Sequence, residues 1–157
     1  MKRLALLLLP AAAACASLSG GGAGTGADSP NAAIQQFLAA AQRKDLPAMA
    51  ALWGTEKGPA SKTMDKKELD RRELIMIQCL PHEKATLGKS SPSEAGRLKF
   101  PVELTLLTRK ATPAFTAVQG PGKRWYVENF EIDQLRDQGF CGATAAPPSA
   151  GAAQSVR

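Results

Sequence analysis

The residues of this 157-residue chain best suited to nucleophilic, acid–base or metal chemistry are few: Cys15, Cys79, Cys141, a single histidine, His82, and a single tyrosine, Tyr126. One histidine and no Cys-x-x-Cys pair cannot assemble a zinc shell from its usual ligands, so no metal or other cofactor is expected. His82 follows a proline and reads as a surface or loop histidine rather than a general base. No Gly-x-Ser-x-Gly elbow is present, and the GGGAG near the start does not open a phosphate-cradling βαβ turn. The stretch KTMDKKELDRRE gathers Lys62, Lys66, Lys67, Arg71 and Arg72, which could face an anionic partner. Yet Glu68 and Arg72, and Lys66 and Asp70, stand four apart, as ion pairs on a solvated helix do. The formal net charge of +6 has no clustering that would make a nucleic-acid footprint.

Cys15 is the residue whose setting says most. Lys2 and Arg3 precede an apolar run from Leu4 to Ala14, 11 residues long. A helix needs about 20 residues to cross a bilayer, so the run reads as an export signal ending in small residues. Ala12-Ala13-Ala14-Cys15 resembles the lipobox of bacterial lipoproteins, with alanine at 12 where that family prefers leucine. The resemblance implies cleavage after residue 14 and acylation of Cys15, a membrane anchor through lipid. Ala16, in place of an aspartate, implies the outer rather than the inner membrane, facing the periplasm or the outside. The alternative is an ordinary secretory signal whose cut falls nearby. Two acyl chains suffice for stable anchoring, at about 0.8 kcal/mol per buried methylene. Removal of Lys2 and Arg3 with the signal lowers the net charge to +4.

The expected organisation is a signal at 1–14, a lipidated cysteine and Gly/Ala/Ser tether at 15–29, one domain at 30–142, and a disordered tail at 143–157. Within the domain, Ser29 and Pro30 can open a helix with Ile34, Phe37, Leu38 and Ala41 on one face. Asp45 can cap a second, short helix through Met49, Leu52 and Trp53, stopped at Gly54. TEKGPASKT reads as a loop. From about Met64 the pattern is helical again, with Leu69, Met76 and Leu80 on one side and Ile75 with Cys79 beside them. HEKATLG can form a short strand, and SSPSEAG a turn-rich break. Leu98, Phe100, Val102, Leu104 and Leu106 alternate on one strand face, with Pro101 pointing to an edge strand or a bulge. ATPAFTAVQ and RWYVENFEI read as strands joined at QGPGK. In the latter the apolar parity slips near Glu128-Asn129, the mark of a β-bulge, with Trp125 and Val127 inward and Tyr126 outward.

The fold class is therefore α+β, N-terminal helices on a curved antiparallel sheet of three to four strands. AAIQQFLAAAQRKDLPAMAALW and KRWYVENFEI resemble the opening helices and last strand of nuclear transport factor 2-like (cystatin-like) domains. That resemblance implies a cone-like domain with an apolar interior, which Phe37, Trp53, Phe100, Leu104, Phe115, Trp125 and Val127 could line as a pocket or simply fill. Some relatives in that superfamily are isomerases or cyclases, but the strand face here carries no acid, histidine or hydroxyl. A non-catalytic domain binding a protein partner or an apolar small molecule is expected. The alternatives are an apolar-ligand enzyme and a purely structural envelope component. In an exported chain Cys79 and Cys141 are expected to form a disulfide closing 62 residues, the alternative being a buried free Cys79 and an unpaired Cys141.

Overall fold

A computed structural model describes residues 25–142. Side-chain caps open the helices where short polar residues precede apolar periodicity. α1 (Pro30–Arg43) begins at Ser29, whose Oγ accepts from the Ala32 amide at 3.2 Å, with proline in the first turn. Its inward stripe buries Ile34, Phe37, Leu38 and Ala41. Lys44 ends it in the left-handed conformation, and Asp45 at once caps α2 (Leu46–Leu52) by accepting from the Ala48 amide at 3.1 Å. α4 (Lys66–Cys79) starts two residues later than Met64, because Asp65 accepts from the amides of Lys67 and Glu68.

The segment read as a loop between them is ordered. β1 (Gly54–Thr55) and β2 (Gly58–Pro59) pair as a small hairpin that leads into the single turn α3 (Ala60–Thr63). A Cβ at Gly54 would sit 2.3 Å from the Gly58 carbonyl oxygen, so only glycine permits this approach.

Six strands then form one antiparallel sheet: β3 (Lys84–Leu87), β4 (Ser91–Pro92), β5 (Leu98–Leu106), β6 (Arg109–Ala111), β7 (Ala114–Gln119) and β8 (Trp125–Phe130). The expectation was three to four strands; the sheet has six, four of them along the path β3-β5-β7-β8. β4 and β6, two and three residues long, pair with β5 beside it and were too short to carry a period of their own. Pro101 does not mark an edge, since β5 has neighbours on both sides. Its carbonyl accepts from the Gly88 amide, so its missing N–H faces the break between β3 and β4. There Gly88, Lys89 and Ser90 stand opposite Phe100 and Pro101, one residue in excess, which is the bulge. A second bulge lies where the parity slip placed it: Thr116 pairs Asn129 and Ala117 pairs Val127, leaving Glu128 unpaired.

The inner sheet face and the helices share one apolar core. α1 packs across β7 and β8, and Phe115 stacks on Phe130 with ring centroids 5.0 Å apart. On the opposite face, Tyr126 is not exposed as its alternation with Trp125 and Val127 suggested; it is 1% accessible. The strap 25–28 covers it. Ala27 exchanges two 2.8 Å backbone hydrogen bonds with Trp125, the Gly26 amide donates to the Ala51 carbonyl, and Arg124 donates to the carbonyls of Thr25 and Gly26 and pairs with Asp28. A Cβ at Gly26, whose φ is +71°, would meet the Tyr126 ring at 2.8 Å. The folded unit thus reaches back into what was read as tether. At the other end, α5 (Ile132–Asp137) leads to Cys141, which is joined to Cys79 at the end of α4 by a disulfide with Sγ–Sγ 2.09 Å. The Gly142 amide donates to the Gln78 carbonyl beside it. Among the described residues, no helix is long and apolar enough to cross a membrane.

Candidate functional site

Cys15 lies outside the described residues, as do the signal and the tail. Of the seven residues named for an apolar pocket, Phe37, Phe100, Leu104, Phe115 and Val127 are fully buried and pack against one another and their neighbours in the core. Trp125 is partly buried and packs against the same core from its edge. Trp53 stands apart, because it borders an open groove.

That groove, about 620 Å³, runs between the outer side of α4 and the bulged end of β8. Trp53, Met76, Phe130 and Ile132 supply its apolar lining, Ile75 its shoulder, and Arg72, Glu128 and Asn129 its polar rim. Trp53 is placed by the chain's exit from α2: it caps that helix in extended conformation, bridges Val127, and donates from Nε1 to the Glu128 carbonyl at 3.2 Å. The bulge turns the Glu128 side chain to Arg97, which holds it with two hydrogen bonds of 2.5 and 2.6 Å and reaches Glu56 of the small hairpin at 3.2 Å. Two charge-assisted bonds in fork geometry fix the bulge, and through it the groove wall. Glu128 raises the Arg97 pKa accordingly.

Ile75 does not sit beside Cys79 in the core. It is 44% exposed, and Leu74 is 49% exposed, because the buried stripe of α4 runs Leu69, Glu73, Met76, Cys79 instead. The two large side chains project from the same helix that carries the basic stretch. There the expected pairs form: Lys66 Nζ lies 2.8 Å from Asp70, and Glu68 accepts from both Arg72 and Arg71. Arg72 and then Arg71, by hydrogen bonding, hold the Glu68 carboxyl below its ordinary range. Asp70 raises Lys66. All these groups are solvated, and such pairs contribute little to stability.

His82 lies in the turn between α4 and β3, as its loop reading expected, but it is buried rather than on the surface. Its Nδ1 donates to the Leu80 carbonyl at 2.8 Å, and its own carbonyl accepts from Gln42 Nε2 at 3.0 Å. Both contacts lock the turn between α4 and β3, a structural task. Tyr126 faces Thr25 Oγ1 at 3.5 Å under the strap and reaches no groove described above. Among the described residues, no three His, Cys, Asp or Glu side chains come together as a metal site.

Sequence reasoning missed Glu73. It is 1% exposed, and its Oε1 has no hydrogen-bond partner. Burial, then the nearby Asp70, pushes its carboxyl up from 4.5 to about 7, with Lys66 pulling the other way. The signal was present: Glu73 occupies the gap in the stripe Leu69, Met76, Leu80. A carboxylate on an apolar stripe is the kind of position where function is sought. Compared with protein-family models, with curated proteins and with solved structures, the chain matches none of them.

Proposed function

We propose that this protein is a cell-envelope lipoprotein, acylated at Cys15, that presents a small non-catalytic binding domain of nuclear transport factor 2-like type. The observation that carries the binding reading is the groove between α4 and the β8 bulge. It has an apolar lining, exposed Ile75 at its shoulder, and a rim braced by Arg97 and Glu128. Paired helices and a hairpin ahead of an antiparallel sheet, with α1 laid across β7 and β8, support the family-level reading. The export signal and small residues before Cys15 support the anchor, and the disulfide suits an oxidising compartment. The groove has room for a partner's side chains, and none of its lining residues forms a nucleophile–base pair. The test is metabolic labelling with an alkyne fatty acid in a bacterial host. Label on the wild type that disappears in Cys15→Ser is the expected result. An unlabelled wild type, or label that persists in the variant, overturns the anchor.

A further inference from the structure

A second groove, about 430 Å³, lies on the other side of α4, closed by α2 and α3. Its walls are apolar: Leu46, Pro47 and Ala50 from α2, Met64 after α3, and Leu69 of α4. Its charged groups are Lys66, Asp70 and Glu73, all from α4; α2 and α3 bring only Ser61 as a further polar side chain. Asp70 is committed, since Lys66 Nζ donates to both its oxygens at 2.8 and 3.1 Å. Glu73 is the uncommitted acid, nearly inaccessible and with Oε1 unpaired. We propose that this groove binds a small aliphatic amine, its ammonium set against the Glu73 carboxylate and its alkyl stem along Leu46, Ala50 and Leu69.

The chemistry selects this class of ligand. An anion meets two carboxylates, Asp70 and Glu73, against the single ammonium of Lys66, already taken by Asp70, and is repelled. A neutral apolar molecule buries the walls but leaves Oε1 without a donor, and a buried polar atom left unpaired is costly. A divalent metal needs more ligands than the one free carboxylate supplies. An ammonium brings three N–H donors and the opposite charge, so it satisfies the orphan oxygen and removes the penalty of ionising Glu73 in an apolar surround. The alkyl stem adds the burial of each methylene against the apolar walls. Binding is then coupled to loss of the Glu73 proton. The site strengthens as pH rises through about 7, until the amine itself deprotonates well above that.

This inference does not depend on the anchor or on the other groove. The experiment is calorimetric and NMR titration of the full chain with hexylammonium, against hexanol and hexanoate as controls. Saturable binding of hexylammonium alone is expected, with shifts in the α2 and α4 amides. Affinity should be more than about tenfold higher near pH 8.5 than near pH 5.5, because the carboxylate is ionised only at the former. Glu73→Gln keeps the shape and loses the charge, and should weaken binding about tenfold or more near pH 8.5. If that variant does not fold, the pH comparison on the wild type decides alone. Hexanol binding as tightly as hexylammonium, affinity independent of pH, or no saturable binding each overturn the proposal. None of these results bears on the fatty-acid label at Cys15, so the two readings fail separately.

Discussion

Glu73 makes the stability of this fold depend on pH in a direction opposite to that of Glu68. Its folded pKa, about 7, lies above the 4.5 of a solvated carboxyl, first through burial and then through Asp70. The folded state therefore holds the proton more tightly than the unfolded chain does. This stabilisation is fully present below about pH 4.5 and is lost as pH rises through about 7, for a total on the order of 3 kcal/mol. Urea denaturation of the wild type near pH 5 and near pH 8.5 should show that loss. In Glu73→Gln the difference between the two pH values should shrink by about the same amount. Equal pH dependence in the two proteins would remove Glu73 from the account. Glu68 runs the other way: Arg72 and Arg71 depress its pKa, so its small contribution is present at neutral pH and lost in acid. The variant comparison separates the two.

At the scale of elements, three joints fix the segments around α4 and the groove. The Cys79–Cys141 bridge closes 62 residues and ties the end of α4 to the segment following α5. In the chain-entropy description a loop of that length contributes about 4 kcal/mol, so reduction should lower the unfolding free energy by about that much. Denaturation with and without reductant reads this directly, and no change on reduction would mean the bridge does not constrain the unfolded chain. Arg97 clasps the β8 bulge through Glu128, and the bulge in turn presents the carbonyl that Trp53 binds. One extra residue in one strand thus sets both the position of the Trp53 ring and the rim of the groove. His82 is the third joint, locking the turn by which α4 passes into β3.

At the scale of the whole molecule, the domain is closed by its own N-terminal strap. Residues 25–28 add backbone pairing to the free edge of β8 and bury Tyr126 against Gly26. A chain starting at residue 30 loses the Ala27–Trp125 pairing and uncovers the Tyr126 ring. It should unfold about 2–4 kcal/mol more easily than a chain starting at residue 25. Comparing the denaturation midpoints of the two lengths tests this, and equal midpoints would show the strap to be dispensable.

What the sequence by itself determined is local. The caps at Ser29, Asp45 and Asp65 involve groups within a few residues of one another, so composition and spacing suffice to place the starts of α1 and α2, and of α4 to within two residues. The alternation over Leu98–Leu106 and the parity slip at Glu128 are equally local, since a strand's side-chain period is a property of the strand. The bridge from Cys79 to Cys141 was legible because the chain holds just these two cysteines beyond Cys15. Tertiary structure decided the rest. Tyr126 alternates outward yet is buried, because a strap from about a hundred residues earlier in the chain lies over it. Pro101 could sit in a central strand because the neighbouring strand breaks opposite its nitrogen. Ile75 faces solvent and Glu73 the interior because α4 turns its buried stripe by the packing of α2 beneath it, and no helical period tells which of two adjacent faces a neighbour will cover. The first groove forms where Trp53 and α4 meet the end of β8, far away in sequence, and the second where the consecutive helices α2, α3 and α4 close on one another; in both, the residue types were visible beforehand and their association was not.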